Sequence, residues 1–150
     1  MVSVANREEI NKQLTHFRRA DNEDEFIIIG YKDANTLQYK TSGKGVKNLV
    51  ATLQDNEFCY VLIRLQYTEG DVGFKEGVIG GKANFRDVFM TYIGKSVGII
   101  EKGKKNSHIG DAKALLQPFH AELTAINKAN ITEASIKDRA NPLSGSHVID

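Results

Sequence analysis

The chain has 150 residues, 41% of them hydrophobic and 26% charged, with a net charge of +1. That is enough sequence for one domain with one core, and too little bulk charge for a general nucleic-acid binder. The lone cysteine excludes an intramolecular disulfide and fits a reducing compartment, and the first thirty residues lack the apolar run of a signal peptide or membrane span, so a cytoplasmic protein is expected.

Asn6-Arg-Glu-Glu9 reads as a capping-box start, and Ile10, Leu14 and Phe17 recur at helical spacing, predicting a helix to about Ala20. His16 lies beside that stripe and reads as a surface imidazole. Asp21–Asp24 is turn chemistry. Glu25–Tyr31 is continuously apolar, which predicts a central strand covered on both faces. A short strand follows at Leu37–Thr41, broken by Ser42-Gly-Lys-Gly45. Val46, Leu49, Val50 and Leu53 mark a second amphipathic helix.

Phe58–Tyr67 is the longest apolar strand, with Cys59 as a small core residue. Arg64 and Gln66 alternate with its apolar residues, so its far end is expected to meet solvent. Thr68–Phe85 carries five glycines and is too long for a tight hairpin, so it reads as an excursion between antiparallel strands. Asp87–Ile93 returns as a strand and turns at Gly94.

The segment that follows Gly94 is basic and helix-patterned, and reads as one long helix. Ala112, Leu115, Leu116 and Phe119 fall with Ile109 on one arc of about 100°. Gly103, Ser107, Gly110 and Ala114 fall on the opposite side, where a solvated face would carry Glu, Lys or Gln. Each mid-helix Gly costs about 1 kcal/mol against Ala. Such a stripe suggests that something large and flat approaches the backbone closely. Lys102 and Lys113 flank it on one side and Lys104 on the other. The window from Lys82 to Lys105 holds six basic residues against two acidic ones.

Glu122–Ile126 is a last strand, Asn130–Glu133 caps a closing helix to about Arg139, and 141–150 reads as a flexible tail after a single domain of 1–140. The order αββαββαβα predicts an α/β fold of the α+β type: a central mixed sheet of about five strands with helices on both faces.

Site motifs for other chemistries fail. Ser42–Val46 and Gly77–Lys82 match neither the P-loop nor the dinucleotide fingerprint, since Lys82 is followed by Ala83 and position 48 is Asn. The four histidines, 16, 108, 120 and 147, show no i, i+4 pair, and His108 and His120 read as two points far apart on one helix. No metal, cofactor or catalytic residue is expected.

Tyr92-Ile-Gly94, followed by Val97, Lys102, His108 and Lys113, resembles the turn and helix of the actin-depolymerising-factor homology family, and within it the coactosin group. Phe58–Asp71 is similar to the family segment leading to a Gly-Asp turn, here Gly70-Asp71. The departures are Tyr92 where the family has Trp, Lys95 where it has an acidic residue, and a longer hairpin at 71–86. The resemblance implies a monomeric binder of actin-filament sides, located in the cytoplasm and on the cytoskeleton and taking no nucleic acid, membrane or cofactor. Its contacts would be Arg86, Lys102, Gly103, Lys104, Lys105, Ser107, Gly110, Lys113 and Ala114. Severing relatives place a bulky apolar residue at the start of the long helix. Lys102–Asn106 has none, and Thr132–Arg139 is short with mixed charge, so weak severing and weak monomer binding are expected. The alternatives are a regulator of monomeric actin or of a branching complex, and, more distantly, a small-molecule or nucleotide-binding enzyme.

Overall fold

A computed structural model describes residues 2–19, 24–67 and 85–150. The expected turn at 21–24 lies almost wholly outside them, as do Gly70-Asp71, Gly77–Lys82 and all but Phe85 of the glycine-rich excursion.

The elements are β1 (Ser3–Val4), α1 (Arg7–Phe17), β2 (Glu25–Asp33), β3 (Thr36–Lys44), α2 (Val46–Thr52), β4 (Phe58–Gln66), β5 (Phe85–Ile93), α3 (Ile99–Asn106), α4 (Ile109–Leu116), β6 (Ala121–Ala125), a short 3₁₀ turn (Lys128–Asn130), α5 (Glu133–Ala140) and β7 (Val148–Ile149). The mixed sheet and its helices are as expected, but the described sheet has seven strands in the order β1-β3-β2-β4-β5-β6-β7. The two additional strands are two-residue edges, too short to leave a period-2 signature. β7 comes from the segment read as a tail. It pairs in parallel with β6, and Ile149 is buried.

Alternation along β2, β4 and β5 divides the interior into two cores. One, holding Ile10, Phe17, Tyr60, Phe89, Val97, Ala112 and Leu116, lies between the sheet and the layer of α1, α3 and α4. The other, holding Leu49, Cys59, Leu65, Tyr67, Met90 and Ile136, lies beneath α2 and α5. Cys59 is the core residue expected, and burial pushes its thiol well up. α1 starts at Asn6, whose side chain accepts from the Glu9 amide, and it ends at Phe17, sooner than the periodicity suggested. In α5 the capping box uses Thr132 and Ser135.

The far end of β4 does not open to solvent. Arg64 is 9% exposed and opposes Asp87, 4% exposed, across the antiparallel ladder. Arg64 Nε donates to Asp87 Oδ1 at 2.8 Å and Nη2 to Oδ2 at 3.1 Å, while Nη1 donates to the Arg19 carbonyl at 2.8 Å. Arg18 adds a third donor to Asp87 at 3.3 Å and donates to the Leu116 carbonyl at 2.8 Å. Both guanidinium groups stack on Phe17. An arginine in an alternating strand reads as solvent-facing by pattern alone; the compensating carboxylate arrives from a strand more than twenty residues away.

Removing one partner of a buried charged cluster strands the rest without compensation. Asp87→Asn is therefore expected to lower unfolding stability by about 3–5 kcal/mol, measured by urea denaturation. A loss below about 1 kcal/mol, the size of an exposed pair, would show that the cluster is solvent-screened.

Candidate functional site

The ridge that carries the predicted contacts is built from the turn after β5. The Gly94 amide donates to the Glu57 carbonyl at 2.8 Å and the Ser96 amide to the Asp55 carbonyl at 2.8 Å. A Cβ on Gly94 would lie 2.2 Å from the Asp55 oxygen, so only glycine lets the two turns meet this closely. Val97 then inserts into the core, and α3 starts two residues later.

The long helix expected from the pattern is two helices. The ladder breaks at Ser107 and His108, whose amides reach back only three residues, to the Lys104 and Lys105 carbonyls at 3.3 and 3.0 Å. The cause comes from the sheet. The Tyr60 hydroxyl donates to the Lys105 carbonyl at 3.0 Å, and a side chain inserted into an i→i−4 ladder breaks or kinks it. Tyr60 also contacts the Tyr31 hydroxyl at 2.7 Å, and Tyr31 contacts His108 Nδ1 at 2.9 Å. Burial pushes the Tyr31 hydroxyl up to about 12 and that of Tyr60 higher still, so both are neutral phenols at physiological pH. His120 is not on the helix. α4 stops at Leu116, and His120 leads into β6, exchanging bonds with Asp87: its amide donates to the Asp87 carbonyl and its Nδ1 accepts from the Asp87 amide, each at 2.8 Å.

The small stripe survives the break. Gly103, Ser107, Gly110 and Ala114 are all exposed, and a Cβ built on Gly103 or Gly110 meets nothing within 4 Å. Around it, Lys104 is exposed and Lys102 is half-buried. Lys113 pairs with Glu122 at 2.6 Å. Lys105 points inward instead: its ammonium sits 4.2 Å from the Tyr31 ring centroid and 2.8 Å from Glu101, leaving the side chain 14% exposed. It supports the ridge from beneath.

Arg86 is not on this ridge. It shares its side of β5 with Val88, Met90 and Tyr92, facing the α2–α5 layer, and its guanidinium lies 5.5 Å from the Tyr67 ring centroid. Lys137 of α5 approaches the same ring at 5.2 Å. The nine predicted residues thus divide between two faces of the molecule.

The pattern also missed the start of α3. Ile99 and Ile100 open that helix and are 87% and 78% exposed. Beside them a shallow cleft of about 460 Å³ is lined by Ala34, Ile100, Glu101, Lys104 and Lys105. Placing the helix start at Lys102 hid these two residues. The signal was present: the only apolar position this turn sends inward is Val97, leaving the isoleucine pair outside.

The family model for cofilin/tropomyosin-type actin-binding protein matches residues 2–141. Among solved structures, human coactosin-like protein is 17% identical with a TM-score of 0.73, covering 91% of this chain and 95% of that one. Coactosin from Entamoeba histolytica is 20% identical, TM-score 0.68, with 91% of each chain covered. Mouse coactosin, described as an actin filament binding protein, is 14% identical, TM-score 0.71, covering 97% of this chain and 94% of that one. At these identities the likeness establishes the fold. No curated protein sequence matches the chain.

If the stripe is kept small for a reason other than folding, enlarging it slightly must not harm the fold. Gly103→Ala and Gly110→Ala are expected to raise stability by about 0.5–1 kcal/mol each, read from thermal melts. Gly94→Ala is expected to lower it sharply. A destabilised Gly103→Ala protein would mean that this glycine serves the helix itself.

Proposed function

The chain belongs to the cofilin/tropomyosin-type actin-binding protein family, and on that premise we propose that it binds the sides of actin filaments through the exposed ridge of α3 and α4. The observation that carries this reading is the exposure of all four small residues, Gly103, Ser107, Gly110 and Ala114, on either side of the α3–α4 break. A backbone left bare over this length admits a broad partner surface to van der Waals distance. Ile99 and Ile100 give the same ridge an apolar tip, and Lys102, Lys104 and Lys113 give it a basic border. Basic borders raise association rate and select acidic partners more than they add affinity. Mouse coactosin, a structural relative, is described as an actin filament binding protein, which supports the filament form of the partner.

Arg86 belongs to a second surface in this reading, beside Tyr67 and α5. Weak severing is also part of the proposal, supported by α5. That helix has eight residues, and its cations Lys137 and Arg139 lie against Glu133 and Asp138. The start of α3 no longer supports it, because Ile99 and Ile100 supply the apolar tip that Lys102–Asn106 lacks. Those isoleucines favour a second reading, regulation of monomeric actin, in which the tip enters an apolar cleft. Either way the protein acts by binding, as a monomer in the cytoplasm and on the cytoskeleton, and no reaction or cofactor is assigned to it.

Gly110→Leu and Ala114→Leu are expected to hold or raise the wild-type melting temperature and to weaken co-sedimentation with filaments by at least about tenfold. Either variant pelleting as wild type does would remove the ridge from the interface. Arg86→Glu is expected to weaken pelleting less, and added salt should weaken wild type too. Unchanged binding by folded Arg86→Glu would delete the second surface. Microscopy of filaments under saturating protein should show decorated filaments of stable length; rapid fragmentation would assign a severing activity. Binding of wild type to monomeric actin against pelleting with filaments separates the two partner readings, and the monomer reading further requires that Ile100→Asp lose the monomer binding.

A further inference from the structure

The three hydrogen bonds beneath the α3–α4 junction can be assigned a direction by counting protons. A carbonyl has none to give, so the Tyr60 hydroxyl donates to the Lys105 oxygen at 3.0 Å. Tyr60 must then accept across its 2.7 Å contact with Tyr31, which makes Tyr31 the donor there. A neutral phenol has one proton. With that proton given to Tyr60, Tyr31 can only accept across its 2.9 Å contact with His108 Nδ1. The reverse order would set the lone pairs of the Tyr60 and Lys105 oxygens against each other at 3.0 Å.

We propose that His108 is a positioning residue for the ridge: as an Nδ1–H donor it closes the relay through Tyr31 and Tyr60 to Lys105, fixing the break that sets Gly103 and Ser107 relative to Gly110 and Ala114. This rests on the ridge being the actin-facing surface. His108 is suited to the task. It is 9% exposed, its ring lies 5.8 Å from that of Tyr31, and it precedes the first residue of α4. The Ala112 amide reaches its carbonyl at 3.0 Å, so the same residue starts the second helix and holds the first.

The first test needs no actin. Long-range ring spectra of nitrogen-15-labelled protein should show neutral His108 as the Nδ1–H tautomer. A bare Nδ1 with a protonated Nε2 would overturn the proposal. Three variants carry the second test. His108→Asn keeps an N–H donor at the Nδ1 position, His108→Leu removes it, and Tyr31→Phe cuts the relay in the middle. His108→Leu and Tyr31→Phe should shift the amide signals from Lys104 to Asp111 and weaken filament pelleting by about three- to tenfold. His108→Asn should stay within about twofold of wild type. If His108→Leu does not fold, Tyr31→Phe decides. Folded variants whose junction amides and filament affinity match wild type would overturn the proposal, and so would a loss of stability with an unmoved junction. Should wild type itself fail to pellet, the filament reading falls, and the tautomer and junction amides still decide the role of His108.

Discussion

Asp87 is the constraint on which the arrangement rests. Its carboxylate is buried with the Arg64 guanidinium and met by the half-buried Arg18, a situation tolerable only when every buried charge is met and hydrogen-bonded. Meeting that requirement draws four parts of the chain to one point. Arg64 brings β4 and the Arg19 carbonyl after α1; Arg18 brings α1 and, through the Leu116 carbonyl, the end of α4. The backbone of Asp87 takes up His120 and so begins β6. The apolar alternation already sets the β4–β5 register, and a bidentate ion pair adds a single geometry to it.

That constraint fixes one end of the ridge, and Gly94 fixes the other. The turn after β5 is seated on the Gln54–Glu57 turn so closely that no side chain fits between them. Between these anchors the chain must span the length of β5, roughly 23 Å from Arg86 to Ile93. The two helices do so with a break near the middle, pinned by Tyr60. Because the anchors and the pin all act from the sheet side, the outer side is released from any structural duty. Bare glycines are affordable there, and the two isoleucines can stand in solvent without unravelling α3.

The legible and illegible parts of the sequence divide by range. The apolar runs of β2, β4 and β5 and the stripes of α1 and α2 are local patterns, and each gives its element within a few residues. The small stripe was legible for the same reason, since side-chain size repeats at helical spacing through Gly103, Ser107, Gly110 and Ala114. The break at Ser107–His108 was not, because its cause is Tyr60, nearly fifty residues earlier and in another element. Arg64 misled in the same way: its pattern points to water, and only the pairing of β4 with β5 supplies Asp87. The two-residue edges β1 and β7 carry no pattern to read. Lys105 shows the limit for site prediction. A lysine among lysines on a helix reads as surface charge, yet the Tyr31 ring and Glu101 turn this one inward.

The separation of Arg86 from the ridge bears on what kind of partner fits. Arg86 and α5 lie over one core, and α3 and α4 lie over the other, with the sheet between them. A single flat surface cannot touch both faces of a sheet at once. A partner engaging both must wrap the domain or present two bodies, one to each side. A filament, built of stacked subunits, offers neighbouring bodies, and a monomer offers one. If both surfaces contribute to binding, the geometry therefore favours the filament; if the ridge acts alone, filament and monomer are equally accommodated. The partner's form thus depends less on the chemistry of the ridge than on whether Arg86, half a turn of the sheet away, shares in the contact.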